Sequence, residues 1–279
     1  MEVKPRRRSF LPIYTEANET FEYPEDSQQG LGWLTELMDK TRAGNQSTWT
    51  EPRKTIRSSG AGDQCIRSLS LSFLGWNDVF TSRTLRIFDT GRNIELSILK
   101  ELKDANILLG ENVAVPFNLP IPIVGIYDAM VETPYTLEPI ILELKSMNSG
   151  YFDKLPEPSF DTEENFTNLL KTQIGYLSQL YLYMYATGVH HGALLYESKN
   201  EQKRKVYELR FNQAFFDSIL ARLTEAWEYA QKGMVAPRTL DPSRDKVCLQ
   251  CKKKDLCLLL NKNGATREMA VKTDQKLRG

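Results

Sequence analysis

The chain has 279 residues, of which 41% are hydrophobic and 26% charged, and its 36 Lys plus Arg balance its 36 Asp plus Glu. These are the proportions of a soluble globular protein with one sizeable domain and room for an appendage. No apolar run approaches the length of a membrane span, so no membrane partner is expected, and a neutral chain would need a local basic surface to meet nucleic acid.

Residues 1–57 are polar, with several Pro, Gly and Ser and little periodicity before Leu31 to Met38; they read as an arm or irregular cap holding one short helix. Met1 to Arg8 is basic but no apolar stretch follows, so a secretory signal is not expected and a reducing, cytoplasmic setting is the default. Order is expected from Ser58. Asp63 to Leu74, which carries Cys65, reads as a helix. A second helix is expected over Thr84 to Asp104, with Phe88, Glu95, Leu99 and Leu102 on one face. Three strands follow at Asn112 to Phe117, Ile121 to Glu132 and Pro139 to Ser146. Met147 to Glu164 is acidic and contains Pro, which predicts a long loop. One long helix is expected over Phe166 to Ala186, stopping near Gly188. His191 to Ser198 and Lys205 to Phe211 alternate as a hairpin of strands, and Asn212 suits the cap of a helix over Gln213 to Lys232. Residues 261–279 are polar and read as a frayed tail. This order implies an α/β domain, one mixed sheet flanked by helices. Arg6-Arg7-Arg8, Lys203-Arg204-Lys205 and Lys252-Lys253-Lys254 are candidate basic surfaces, and equally ordinary solvated runs.

Hydrolysis of a phosphodiester needs cations to neutralise the phosphate and activate water. Mg2+ and Mn2+ bind carboxylate oxygens and keep water positions open. The informative pattern is therefore carboxylates brought to one point by neighbouring strand ends. In Glu143-Leu144-Lys145, residues two apart share a face, so Glu143 and Lys145 project together while Leu142 and Leu144 pack behind them. Asp128, within Gly125-Ile126-Tyr127-Asp128 of the preceding strand, comes beside Glu143 in a hairpin. Glu-x-Lys recurs at Glu2/Lys4, Glu101/Lys103, Glu197/Lys199 and Glu201/Lys203. Only positions 143 and 197 lie in apolar, strand-like contexts, and only 143 follows a strand with an internal Asp. The competing reading is an exposed ion pair on an edge strand, worth little. Glu95, an acid on an apolar helix face, is costly there unless paired or metal-bound. Gln179 and Tyr183 are four apart on one helix face, suited to bonding a phosphate or stacking on a base; plain core packing of the tyrosines is the alternative.

The four cysteines are Cys65 and the trio Cys248-x2-Cys251-x5-Cys257. Disulfides are disfavoured in a reducing compartment. Four thiolates hold zinc or an iron–sulfur cluster, and a two-plus-two zinc ribbon would show two C-x2-C pairs where this chain has one. A buried free thiol is an open reading for Cys65 alone.

Taken in order, these motifs resemble the RecB-like branch of the PD-(D/E)XK nuclease superfamily, over roughly Ser58 to Cys257. Phe88-Asp89-Thr90-Gly91-Arg92-Asn93-Ile94-Glu95 is similar to its opening helix motif, with Glu95 where the branch has His or Glu. Gly125 to Asp128 resembles its G-x-x-D strand and Glu143 to Lys145 its E-x-K strand. Gln179-Leu180-Tyr181-Leu182-Tyr183 resembles its Q-x-x-x-Y helix; Gln173 lacks a Tyr four residues on. One distant Cys with a C-terminal trio is similar to the iron–sulfur nucleases of this group, among them the CRISPR-associated adaptation nuclease, phage exonucleases and AddB, where a cluster staples the chain ends. Cys65-Ile66-Arg67 resembles their C-x-R stretch.

The resemblance implies a restriction-endonuclease-like core over residues 58–260. It implies a DNA exonuclease on single-stranded ends, often 5′ to 3′, in phage or bacterial recombination, replication or processing. Asp128, Glu143 and Glu95 would bind Mg2+ or Mn2+, and Lys145 would position the attacking water. Gln179, Tyr183 and Arg67 would contact DNA. Cys65, Cys248, Cys251 and Cys257 would hold a 4Fe-4S cluster, with Zn2+ as the alternative. A prespacer-trimming CRISPR adaptation nuclease with an integrase partner and a non-catalytic DNA-binding module are the other readings, and a protein partner or homo-oligomer is compatible with each. The expected setting is the cytoplasm of a bacterial or phage-infected cell.

Overall fold

The computed structural model describes residues 32–134 and 137–278, so Arg6-Arg7-Arg8 and most of the expected arm lie outside the described residues. The chain divides into two units, Met1–Thr41 and Arg42–Gly279. The short helix expected near Leu31 is α1 (Gly32–Ala43), which buries no residue. No described helix is long and apolar enough to cross a membrane.

Order in the larger unit begins well before Ser58. Trp49 forms an isolated bridge with Trp76, β1 spans Ile56–Arg57, and a 3-10 turn follows at Ser58–Gly60. The first helices are α2 (Ile66–Phe73) and α3 (Ser82–Asp104). The latter is capped by Thr81, whose side chain accepts from Thr84 N–H, satisfying a donor the helix leaves free. Strands β3 (Ile123–Glu132) and β4 (Pro139–Met147) follow close to where they are expected, while β2 (Leu108–Pro116) begins four residues before the expected Asn112.

The stretch expected as one loop instead holds α4 (Ser149–Phe152) and the start of α5 (Thr162–Thr172). Buried Phe152 and Leu155 anchor it to the core. The expected long helix is broken at Gln173 into α5 and α6 (Ile174–Thr187). The backbone comes close to another segment just past the break: a Cβ added to Gly62 would lie 2.2 Å from the Cα of Gly175. α6 ends at Gly188, whose φ of 71° places it in the left-handed region that glycine adopts without strain. Then come β5 (His191–Ser198), β6 (Arg204–Arg210) and α7 (Gln213–Gln231), the last capped by the Asn212 side chain.

After α7 come β7 (Met234–Val235), α8 (Lys246–Leu249) and α9 (Lys254–Leu259), and the segment expected to fray beyond residue 261 instead forms β8 (Ala265–Thr266) and α10 (Arg267–Arg278). Trp49 Nε1 donates to buried Asp274 at 3.1 Å, and Arg267 donates to the carbonyls of Leu74 and Thr50. These partners lie some two hundred residues away along the chain, which is why the polar composition of the tail does not report them.

The six-stranded sheet runs β1-β3-β4-β5-β6, with β2 on the other edge of β3. It is mixed: β4 and β5 are parallel, while β2–β3, β3–β4 and β5–β6 are antiparallel. Every residue of β5 is buried, as expected of a strand covered on both faces. On one face α3 covers Leu142, Leu144, Ala193 and Leu195 through Ile98 and Leu99. On the other, α2, α5, α6 and α7 bury Ile141, Leu194, Tyr196 and Tyr207. A smaller cluster joins Leu71, Leu74 and Trp76 to Leu256, Leu260 and Ala270 of the C-terminal segment.

Candidate active site

Antiparallel pairing of β3 with β4 runs from Glu132↔Pro139 to Ala129↔Leu142 and stops there. The next residues in that register are Asp128 and Glu143. At this point the Leu144 N–H donates to the Asp128 side chain, Oδ2, at 2.7 Å. The edge of β3 that β4 leaves is taken up at the first two residues of β3 by β1, at Ile56↔Ile123 and Arg57↔Val124. The acids therefore stand where two strands part and a third arrives.

Glu143 is fully buried. Lys145 Nζ pairs with its Oε1 and lies 3.6 Å from Asp128 Oδ2. An ammonium is thus held between two carboxylates, and neither Glu143 oxygen is otherwise hydrogen-bonded. Burial pushes the Glu143 carboxyl well above the usual carboxylate range, against Lys145 and with Asp128 and Glu95 adding to the rise. Lys145 is held above the ordinary lysine value: burial works against its charge, but Glu143 and Asp128 outweigh it. Glu95, on α3, is also raised, by burial first and then by Asp128, with Lys145 and Arg92 opposing. That coupling places Glu95 within the electrostatic reach of the pair.

Among the described residues, no three acids, thiols or imidazoles are gathered closely enough to hold a single ion. The donor set still suits a divalent cation. A buried carboxylate with orphaned oxygens is costly, and a cation in the position of the ammonium would satisfy Glu143 and Asp128 together. The competing reading of a solvent-exposed edge pair does not hold, since Glu143 is buried in a strand flanked on both sides.

Tyr176 on α6, not singled out by any motif, stands with its ring 5.2 Å from Lys145 Nζ. Such a contact is favourable where the ammonium is shielded from water. A tyrosine-rich helix gives no local sign of which ring meets the lysine.

Gln179 and Tyr183 share one face of α6, as their spacing predicts, and Gln179 Nε2 donates to the Tyr183 hydroxyl at 3.0 Å. The Tyr183 hydroxyl is also 2.8 Å from Ser58 Oγ. These three side chains line a cleft with Arg57, Val124, Gly125 and Ile126. Gly125 is required by packing: a Cβ there would lie 2.6 Å from Ser58 Oγ and 2.7 Å from a Tyr183 ring carbon. Gly125→Ala is expected to cost about 1–3 kcal/mol through overpacking, read as a lower denaturation midpoint. An unchanged midpoint would show that α6 can retreat from the strand.

The side chains of the rival motif at Glu197 are taken up by other partners. Glu197 is buried and accepts from Arg204 Nε at 2.7 Å, and Arg204 forks onto Glu101 of α3 at 2.6 and 2.8 Å. Lys199 donates instead to the Ile87 carbonyl. Glu197→Ala is expected to keep most activity while losing about 1–2 kcal/mol of stability from the unpaired bond. A fully folded but dead variant would mean that the chemistry sits on this strand. The basic run at 203–205 is likewise neutralised, by Glu201, Glu101, Glu197 and Glu157.

The four cysteines, drawn from both ends of the unit, line one small pocket together with Arg67, Lys253 and Lys254. None is in a disulfide. Burial raises the Cys65 and Cys248 thiols, with Cys257 adding at both and Cys251 at Cys248. Arg67 departs from its expected place on DNA. It is 1% exposed and donates to the carbonyls of Ala236 (2.8 Å) and Asn261 (3.0 Å), so its guanidinium presents no surface to a phosphate.

No protein-family model matches this sequence, and no curated protein matches it. Among solved structures, the chain is similar to SSO0001, at 15% identity over 79% of this chain and 96% of that one, with a TM-score of 0.42. It is also similar to an alkaline exonuclease (LHK-Exo) from Laribacter hongkongensis, at 12% identity over 71% and 93%, TM-score 0.39. A third likeness is to a phage-related exonuclease from Haemophilus somnus 129PT, at 15% identity over 48% and 69%, TM-score 0.33. Each likeness is distant.

Proposed function

We propose that this protein is a divalent-cation-dependent deoxyribonuclease of the PD-(D/E)XK type, an exonuclease acting on DNA ends, single-stranded by preference. The observation that supports this most is the Lys145 ammonium lodged between Glu143 and Asp128, with Glu143 fully buried. Asp128 and Glu143 would hold Mg2+ or Mn2+, with Glu95 completing the shell directly or through water. The cation supplies neutralisation of the scissile phosphate and activation of water. Lys145 would position that water and offset charge developing on the phosphate. The Tyr176 ring stands beside its ammonium. Gln179, Tyr183 and Ser58 line the neighbouring cleft and orient the strand by hydrogen bonds to its backbone.

The four-cysteine cavity is assigned a 4Fe-4S cluster, with Zn2+ as the alternative. Its role is to tie Cys65 to the C-terminal segment, because closing so long a loop removes chain entropy from the unfolded state.

The test is cleavage of end-labelled single- and double-stranded DNA with Mg2+, Mn2+ or chelator, in wild type and Glu143→Gln. Cation-dependent cleavage lost in the variant supports the assignment, and the product ladder gives its direction. A metal-loaded wild type that binds DNA without cutting it would make the chain a binding module.

A further inference from the structure

Arg67 sits where α2 meets the C-terminal segment. Nη1 donates to the Ala236 carbonyl, and Nη2 to those of Asn261 (3.0 Å) and Cys257 (3.5 Å). Nε is buried without a partner, and the guanidinium makes no ion pair among the described residues. Arginine does not deprotonate in proteins, and a buried charge without an opposite charge is strongly unfavourable. Carbonyls supply dipoles but no counter-charge. The cavity that Arg67 lines also holds Lys253 and Lys254 and no acid. Lys253 is supported by Ser68 Oγ at 2.8 Å and Asp63 at 3.8 Å, which leaves Arg67 unmatched. The groups on that wall able to carry negative charge are the four thiols.

We propose that Arg67 is the buried counter-charge of an anionic metal–thiolate group on Cys65, Cys248, Cys251 and Cys257. Through the carbonyls of Ala236, Cys257 and Asn261 it couples retention of that group to closure of the C-terminal segment. This rests on the four-cysteine assignment above and gives Arg67 a positioning role that the assignment does not contain. Arg67 makes the site electrostatically complete: the metal–thiolate group compensates the guanidinium, and the guanidinium stabilises the group.

The experiment uses anaerobically purified full-length wild type, Arg67→Gln and Arg67→Lys. Metal and acid-labile sulfide per chain, the rate of metal loss to a chelator, and the reduction midpoint of the chromophore are measured. Arg67→Gln is expected to lose metal about tenfold faster or more, as for other groups that support metal ligands. Its midpoint is expected to move to more negative potentials, because adding an electron beside a lost positive charge is harder. Arg67→Lys keeps the charge but cannot span three carbonyls, and is expected to stay near wild type in midpoint. If only the carbonyl bonds matter, both variants will release metal equally fast at an unchanged midpoint, which overturns the proposal. Should Arg67→Gln fail to fold, Arg67→Lys decides: retained metal supports the counter-charge and lost metal overturns it. A wild type that carries no metal defeats the four-cysteine assignment and this proposal with it. A metal-bearing wild type with an unaffected Arg67→Gln defeats only the role of Arg67.

Discussion

Lys145→Ala is expected to abolish cation-dependent DNA cleavage, a fall of at least about 10²-fold, while the fold and DNA binding survive. The side chain touches both acids, so the substitution acts at the centre of the proposed chemistry. Its structural cost is moderated by Glu143 itself, whose raised proton affinity lets it neutralise when the ammonium is gone. A second consequence separates a catalytic lysine from a purely structural one. The ammonium occupies the position between Glu143 and Asp128 that a divalent cation would take, so its removal should strengthen cation binding even as cleavage disappears. Calorimetric titration with Mn2+ and a gel-based cleavage assay on the same preparations would show both. Retained cleavage would remove Lys145 from the mechanism. Weaker Mn2+ binding would mean that the lysine organises the acids rather than competing for them.

Cys251→Ala should prevent the cavity from holding the proposed metal and lower stability by more than about 4 kcal/mol, the range reached when a structural metal is lost. The reason lies in what the cavity joins. Cys65 stands at the start of α2, whereas Cys248 and Cys257 sit on the short helices α8 and α9 and Cys251 on the link between them. The apolar cluster of Leu71, Leu74, Trp76, Leu256 and Leu260 links the same elements but is small, and cannot alone hold two four- to six-residue helices against fraying. Hydrogen exchange should therefore quicken first in α8, α9 and α10, ahead of the central sheet. Metal content, visible absorbance and melting are the measurements. Unchanged colour and an unchanged midpoint would defeat the staple.

Local pattern carried much of this. The alternation of β3 to β6, the Asn212 cap and the stop at Gly188 are set by residues a few positions apart, so their outcome is written in short windows of sequence. The E-x-K spacing likewise placed Glu143 and Lys145 on one strand face, and i,i+4 spacing placed Gln179 beneath Tyr183. What short windows leave open is which partner arrives from far along the chain. Two E-x-K strands look alike until Arg204 and Ile87 claim the side chains of Glu197 and Lys199. Arg67 resembles a surface arginine until Ala236 and Asn261 close over it. The expected long helix breaks at Gln173, beside the point where the backbones of Gly62 and Gly175 meet, and the polar tail is tied to the unit where Trp49 reaches Asp274. Burial and charge compensation depend on these distant contacts. Periodicity could thus propose the acids and thiols, but their surroundings, and so their chemistry, were settled by packing of the whole unit.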